Sequence, residues 1–188
     1  ADQSQDHDLK EPEFVSRIMR PMNRLEGDLL PVSAFSGIED GTFPCGTSAY
    51  EKRGIAVNVP EWNVETCIQC NQCSFICPHS CVRPFLLTEE EKAAAPDSFK
   101  TQQAKGKGLE NYAFRIQIST MDCTGCGNCA DICPAKPKAL VMKKLSTQSP
   151  EQVPNWKYAV SKVSRKGNLF EGRTVKDSQF RQPLMEFS

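Results

Sequence analysis

The sequence predicts an α+β fold in which one small domain, organised by bound metal, lies between two long arms. Three observations lead to this prediction. The apolar supply is modest for 188 residues, with 39% hydrophobic residues and a mean hydropathy of -0.47, so a large apolar core is not expected. Ten cysteines are present, and eight of them fall into two copies of one motif. Short helical and alternating segments flank these copies.

The N-terminal arm is predicted to span residues 1–60. In the run PEFVSRIM at 12–19 the apolar residues repeat at helical spacing, which predicts a short helix that Pro21 ends or kinks. Residues 27–62 are rich in Gly, Pro, Ser and Asp, which indicates an extended linker. The start has no basic and apolar leader, and no apolar run approaches the roughly 18 residues of a membrane span. We therefore expect a soluble, cytoplasmic protein that binds no membrane.

The domain is predicted to span residues 61–145 and to contain an internal repeat. CIQCNQCSFICP at 67–78 returns as CTGCGNCADICP at 123–134. Each unit has the spacing Cys-x2-Cys-x2-Cys-x3-Cys-Pro, which is the run of bacterial two-cluster ferredoxins. In that pattern three thiolates hold one 4Fe-4S cube, and the fourth, turned away before the proline, reaches the other cube. The spacing therefore predicts a ferredoxin-like domain with two crossed 4Fe-4S clusters.

Each cluster is predicted to take three cysteines from one unit and one from the other. The first is held by Cys67, Cys70, Cys73 and Cys133, and the second by Cys123, Cys126, Cys129 and Cys77. Metal ligation contributes folding free energy, so it would replace part of the missing apolar core. The alternative is a pair of tetrahedral zinc sites, although zinc ribbons usually take their thiolates as separated Cys-x-x-Cys pairs. A secreted disulfide scaffold is a weaker use of these cysteines.

Five residues near the motifs have other predicted roles. Cys45 and Cys81 lie outside both units and are expected to be small buried residues, although Cys81 should lie near a cluster, where a spare thiol could replace a ligand. His79 is expected to be a packing or hydrogen-bonding neighbour and not a ligand, and an N–H aimed at a cluster sulfur could tune its potential. Gly125 and Gly127 are expected where the chain folds tightly over a cluster.

Residues 82–120 are predicted as an insertion within the domain. VRPFLL at its start and the alternating segment 114–118 predict a half-buried antiparallel pair, with Pro84 placing the first strand at an edge. Between them, Thr88 is predicted to cap a short helix, and a loop follows.

Residues 146–188 are predicted as a second extended arm, which is basic and contains three prolines. Although the net charge is zero, residues 1–91 carry 15 acidic and 7 basic side chains, and residues 134–176 carry 2 acidic and 10 basic ones. Two interpretations are open: solvated faces or contacts between the halves, and a docking surface for an acidic partner. No nucleic-acid partner is expected.

At these motifs and in both arms, the sequence closely resembles the long single-chain bacterial pyruvate:ferredoxin (flavodoxin) oxidoreductases. The resemblance runs in order over nearly the whole chain. Besides the two cysteine units, it includes LPVSAF, DGTFPCGTSAYEKRGIAVNVPEW, TEEEKAAAP, PNWKYAV and TVKDSQFRQPLMEFS.

This resemblance implies that the chain is the linker and two-cluster domain of an enzyme several times longer. Enzymes of the family oxidatively decarboxylate pyruvate with coenzyme A, using thiamine diphosphate and a third 4Fe-4S cluster, none of which this chain is expected to bind. The chain would then relay single electrons to ferredoxin or flavodoxin. It would contact the remaining domains of a parent oxidoreductase that is expected to be a homodimer, and none of its own residues is expected to be catalytic.

Two other functions are compatible with the motifs. The chain could be an independent dicluster ferredoxin with long extensions. It could also be a non-catalytic interaction module, in which metal sites only hold arms that contact partner subunits.

Overall fold

A computed structural model describes residues 11–182, which divide at residue 52 into two compact units. The first unit consists of short helical turns. A π-helical segment, Val15–Met19, continues into helix α1, Arg20–Asn23, and three 3-10 turns follow at Gly27–Leu29, Val32–Phe35 and Thr47–Tyr50. The outer ends of both predicted arms, 1–10 and 183–188, lie outside the described residues.

The predicted N-terminal helix is present, but Pro21 does not end it. The winding changes from π to α at Arg20, and the chain stays helical to Asn23. Pro21 lies in the first turn of α1, where a missing backbone N–H removes no hydrogen bond within that helix. The proline therefore lies where the winding returns from π to α.

The second unit is built from two repeats of strand, cysteine loop, helix and strand. The first repeat consists of β1 (Asn58–Trp62), α2 (Gln72–Ile76) and β2 (Val82–Leu87), and the second of β4 (Ala113–Ile118), α4 (Asn128–Asp131) and β5 (Leu140–Lys144). Helix α3 (Glu89–Ala93) and the two-residue strand β3 (Gln102–Gln103) lie between them. β1 thus begins inside the predicted linker, and β3 lies where a loop was predicted.

Each strand of the first repeat pairs with a strand of the second. β1 is antiparallel to β5, with Trp62 opposite Leu140, and β2 is antiparallel to β4, with Val82 opposite Ile118. β3 pairs with the other side of β4, so β2 is an edge strand. The α+β fold, the antiparallel pair and the edge position of Pro84 are therefore confirmed.

The prediction that this pair is half-buried is wrong, because both of its faces are covered. Arg115 and Gln117 of β4 are buried. The Gln117 amide donates to the side-chain oxygen of Gln152, at 2.7 Å. The Arg115 guanidinium lies over the Phe99 ring and donates to a backbone carbonyl. The polar side chains of the strand thus face a second protein layer and find their partners there.

The partners of Arg115, which are Phe99 and Lys100, belong to the insertion. The partner of Gln117 belongs to the segment predicted as an extended C-terminal arm. Residues Leu145–Lys162 form the 18-residue helix α5, and a 3-10 turn (Gly167–Leu169) and helix α6 (Val175–Arg181) follow. α5 contains Pro150 and Pro154, which argue against a helix when the sequence is considered alone. Packing decides the outcome, since Ala159 is fully buried in a cluster with Phe85 and Phe99. Within residues 11–182, no helix has the length and apolar character required to span a membrane.

Glu91 connects the acidic first half of the chain to the basic C-terminal segment. Thr88 and Glu91 form the capping box of α3, which confirms the predicted cap. The Glu91 carboxylate also accepts from Lys166, at 2.7 Å, and from Ser164. Burial raises the pKa of Glu91, but the hydrogen bonds from Lys166, Ser164 and Thr88 outweigh it and lower that pKa to about 2. Some of the charged residues that make the two halves of the chain unequal therefore form contacts with each other.

Candidate metal centre

The first loop, residues 67–73, and the second loop, residues 123–129, repeat one backbone turn. Gln69 and Asn71 of the first loop have φ of 61° and 59°, and Gly125 and Gly127 at the equivalent places have 73° and 82°. Only glycine adopts this left-handed conformation without strain. The glycines therefore indicate this turn in the sequence of the second loop alone. In the first loop the turn can be recognised by aligning the two units, because the alignment places Gln69 opposite Gly125.

The two glycines of the second loop are required for different reasons. A Cβ on Gly125 would lie 2.8 Å from the carbonyl oxygen of Asn58 in β1, which no side chain tolerates without a shift of backbone. A Cβ on Gly127 would meet no described atom within 4 Å, so its requirement is the left-handed conformation. The crowding at Gly125 thus comes from the first strand of the other repeat.

The chain turns away from each helix at the fourth cysteine of the unit. Cys73 and Cys129 lie within α2 and α4. Cys77 follows α2 with an extended backbone, φ -68° and ψ 112°, directly before Pro78. Cys133 lies just beyond α4, also before a proline. The fourth cysteine of each unit therefore lies just beyond the end of a short helix.

Cys77 lines one cavity together with the three cysteines of the second loop. The cavity contains about 330 Å³ of empty space, part of it open to solvent. The side chains that line it include Cys77, Cys123, Cys126, Cys129, Cys81 and His79.

Three of the other four motif cysteines belong to the main core or pack against it. Cys67 and Cys73 are buried there together with Cys129, and Cys133 and Cys77 pack against the same cluster. Burial raises the pKa of Cys67, and negative charge on Cys70 and Cys133 raises it further. Burial likewise raises the pKa of Cys73, and the charges that act on it include those of Cys70 and Cys129. Because Cys129 belongs to the other group, the two groups adjoin at this point.

Backbone N–H groups donate to three of the motif sulfurs. The acceptors are Cys77 Sγ, at 3.3 Å from the Cys81 nitrogen, Cys123 Sγ, at 3.4 Å from that of Gly125, and Cys133 Sγ, at 3.4 Å from that of Ala139. A hydrogen bond from the Cys81 side chain is the largest cause that lowers the pKa of Cys77, and with weaker backbone donors it outweighs burial and brings that pKa to about 5. Hydrogen-bond donors at sulfur favour the thiolate, which is the form that binds metal.

The remaining predicted residues have separate outcomes. Cys81 is buried and lines the cavity, and its sulfur lies 3.4 Å from the His79 carbonyl oxygen. His79 is exposed and also lines the cavity, so it is a neighbour of the candidate centre. Cys45 lies in the first unit and is exposed, so the prediction that it is buried is wrong.

Over residues 11–182, no three side chains among His, Cys, Asp and Glu come close enough to share a single metal ion. The choice between zinc and iron-sulfur clusters is therefore a matter for metal analysis.

Side chains of the first loop attach it to the insertion and to the C-terminal helix. The Gln69 amide donates to the Gln103 carbonyl oxygen at 2.7 Å, and its oxygen accepts from the Lys105 N–H at 2.8 Å. The Asn71 amide donates to the Lys176 carbonyl oxygen at 3.0 Å. The second loop has glycine at both places, and its Cys126 is exposed. The two loops thus share a backbone turn, but the first is attached to the insertion and to α6, whereas the second leaves Cys126 exposed.

Comparison with known proteins identifies two matching domain families and several related enzymes. The EKR domain of unknown function matches residues 1–56, and a 4Fe-4S dicluster domain matches residues 66–136, which hold all eight motif cysteines. The chain is 56% identical over 179 residues to the pyruvate-flavodoxin oxidoreductase of Enterobacter agglomerans. It is 54% identical over 179 residues to the pyruvate:ferredoxin oxidoreductase of Moorella thermoacetica. The chain belongs to the pyruvate:ferredoxin (flavodoxin) oxidoreductase family.

The resemblance predicted from the sequence is therefore confirmed. Both matches cover 95% of the chain, and the chain spans about 15% of the length of these two relatives. The mitochondrial pyruvate dehydrogenase (NADP(+)) of Euglena gracilis is 47% identical over 176 residues, which are 94% of the chain and 9% of that relative. Members named for flavodoxin, for ferredoxin and for NADP(+) thus share the segment that carries the cysteine motifs.

Proposed function

We propose that this chain is the electron-relay segment of a pyruvate:ferredoxin (flavodoxin) oxidoreductase and holds two 4Fe-4S clusters. One observation carries the proposal: Cys77, from the first repeat, lines a cavity with the three cysteines of the second loop. Crossed ligation of two clusters requires such a grouping. The proposed ligands are Cys67, Cys70, Cys73 and Cys133 for the first cluster, and Cys123, Cys126, Cys129 and Cys77 for the second.

Bound clusters of this type supply one-electron transfer. The contribution of the chain is to hold, shield and tune them. Eight thiolates fix two positions, and the point where Cys73 approaches Cys129 brings those positions close together. Buried strands exclude water from one side, and backbone N–H groups at three ligand sulfurs stabilise negative charge there. No side chain of this segment is assigned a catalytic step.

The rest of the reaction is proposed to take place outside this segment. Decarboxylation of pyruvate with coenzyme A, thiamine diphosphate and a third 4Fe-4S cluster belongs to the remaining domains of a cytoplasmic, homodimeric parent. The proposed acceptor is ferredoxin or flavodoxin, which two relatives carry in their names. Ionic-strength dependence of acceptor reduction tests whether the basic C-terminal segment contributes to docking.

Metal content tests the cluster proposal directly. The chain is purified without oxygen, and iron, acid-labile sulfide and zinc are measured per chain. We expect iron and sulfide for two cubes, and visible absorbance that dithionite bleaches. A colourless protein that contains zinc, or one with neither iron nor sulfide, contradicts the proposal.

Pairs of substitutions test the crossed ligand sets. All variants carry Cys81→Ser, so that the spare thiol cannot replace a ligand. With crossed ligation, Cys77→Ser and Cys126→Ser affect the same cluster, and the double variant keeps half of the iron. Cys77→Ser with Cys70→Ser affects both clusters, and nearly all of the iron is lost. The reverse pattern means that each unit closes on its own cluster.

A further inference from the structure

The cavity of the second group is lined by one more cysteine than a 4Fe-4S cluster needs. Five cysteines line it, whereas a cluster of this type takes four thiolates. The fifth is Cys81, which belongs to neither cysteine unit and is only 2% exposed. It packs in a small buried cluster that includes Cys123, and Cys77 packs against the same cluster. The surplus thiol therefore lies among the proposed ligands and away from solvent.

Cys81 lies directly beside Cys77. The backbone N–H of Cys81 donates to the Cys77 sulfur at 3.3 Å. The turn between the two residues closes with a hydrogen bond from the Ser80 N–H to the Cys77 carbonyl oxygen, also at 3.3 Å. The Cys81 thiol donates to the His79 carbonyl oxygen at 3.4 Å. The turn thus folds the chain back, so that two thiols from one short segment line the same cavity.

Ser80 holds this turn in a conformation that favours glycine. Its φ is 50°, in the left-handed region, which disfavours a residue with a Cβ by about 1–2 kcal/mol. Residues held in this way are concentrated at ligand sites, where the surrounding contacts maintain them. Here the left-handed residue is the one that directly precedes Cys81, so it sets the direction in which the chain returns to the cavity.

The fourth cysteine of the other unit has no such thiol after it. Four positions beyond Cys133 the chain has Pro137, which has neither a thiol nor a backbone N–H. The N–H that donates to the Cys133 sulfur comes instead from Ala139, at 3.4 Å. The two units therefore provide a matched pair, in which one fourth cysteine is followed by a second thiol and the other is not.

We propose that Cys81 is an alternative fourth ligand of the second cluster, which binds the iron when Cys77 releases it. The inference rests on the proposed function, because it requires that the second group holds a 4Fe-4S cluster. Exchange breaks the bond from iron to the Cys77 sulfur and forms a bond from the same iron to the Cys81 sulfur. The thiol proton of Cys81 passes to the Cys77 sulfur. Neither the charge nor the number of electrons changes, and the cluster keeps four thiolates.

Ligand exchange would allow the second cluster to survive loss of the Cys77 thiolate. The second group is also the more accessible of the two, because part of its cavity is open to solvent and Cys126 is exposed. A cluster that reagents can reach gains most from a ligand held in reserve.

The first test compares the two fourth ligands in the full chain, purified without oxygen. Cys77→Ala should keep the iron and sulfide of both clusters, because Cys81 takes the vacated place. Cys133→Ala is the matched control and should lose up to half of its iron, since Pro137 offers no replacement. Cys77→Ala combined with Cys81→Ser should lose as much iron as this control. Electron paramagnetic resonance of the oxidised proteins detects any three-iron remnant that a lost ligand leaves.

A second measurement asks whether the Cys81 sulfur binds iron itself. Cysteine is labelled with 13C at Cβ, and nuclear magnetic resonance counts the cysteines whose Cβ signals a cluster shifts. Cys77→Ala should show as many shifted signals as wild type, and the double variant should show fewer.

A third measurement keeps all eight proposed ligands and so does not depend on the folding of Cys77→Ala. An iron chelator should remove the second cluster severalfold faster from Cys81→Ser, which keeps the shape of the side chain, than from wild type. Equal rates overturn the inference. Equal iron loss from Cys77→Ala and the double variant, both with the circular dichroism of wild type, also overturns it. Wild-type protein without iron and sulfide would instead overturn the proposed function.

Discussion

The first and second loops have the same cysteine spacing and the same backbone turn, but they are attached to the rest of the chain differently. The first loop fills its left-handed positions with Gln69 and Asn71, whose amides bond to the insertion and to α6. The second loop fills them with glycines and lies against β1 and an open cavity. Cysteine spacing therefore determines the turn, whereas the intervening residues determine what covers it.

The largest effect is expected from Gly125→Ala in the second loop. An alanine there combines a left-handed backbone with a Cβ 2.8 Å from the Asn58 carbonyl oxygen. We expect the free energy of unfolding to fall by roughly 3 kcal/mol or more. Strain in the left-handed backbone contributes about 1–2 kcal/mol of this, and the displacement of β1 contributes the rest. The measurement is the midpoint of chemical unfolding, followed by visible absorbance under anaerobic conditions.

Gly108→Ala is the control for that substitution. Gly108 has φ of 79° and no described atom within 4 Å of an added Cβ, so it isolates the strain of the left-handed backbone. If Gly108→Ala lowered the free energy of unfolding as much as Gly125→Ala does, contact with β1 would not be what restricts the second loop.

An intermediate effect is expected from Gln69→Gly, which gives the first loop the residue of the second. Glycine accepts the left-handed backbone, but the Gln103 carbonyl and the Lys105 N–H lose their partner. We expect the free energy of unfolding to fall by about 2 kcal/mol, because two part-buried hydrogen bonds are lost. Hydrogen exchange at the Lys105 amide should accelerate, because this N–H donates to the Gln69 side chain. An unchanged exchange rate there would contradict the role of Gln69.

The smallest effect is expected from Ser74→Ala in α2. The Ser74 hydroxyl donates to the Gln179 side-chain oxygen of α6 at 2.7 Å, in a buried position. Its equivalent in the second repeat is Ala130, which has no such hydroxyl. We expect the free energy of unfolding to fall by about 1 kcal/mol. Proteolysis near α6 should be faster than in the wild-type protein. Ala130→Ser, which places a hydroxyl in the second repeat, should not protect α6.

The sequence was sufficient for features that depend on local pattern. The repeat, the antiparallel pairing of β2 with β4 and the Thr88 cap follow from spacing, alternation and capping chemistry, and the structure confirms the pairing and the cap. The crossed ligand sets follow from spacing too. They stay a prediction, which the cavity around Cys77 supports.

The features that the sequence did not predict depend on long-range contacts. Helix α5 forms despite Pro150 and Pro154 because it covers the outer face of β4, where Gln117 and Gln152 pair. No local pattern indicates that Gln69 adopts a left-handed backbone, since its stabilising partners lie more than thirty positions further along the chain.

The pairing of β1 with β5 also bears on how such a unit is joined to longer polypeptides. Asn58 and Lys144 are register partners, so the segment that carries the eight motif cysteines begins and ends at neighbouring points. The chain does not leave the core there, because α5 and α6 follow Lys144 and pack on the same strands. Cutting or fusing the polypeptide at Lys144 would therefore separate the cysteine segment from the helices that cover it.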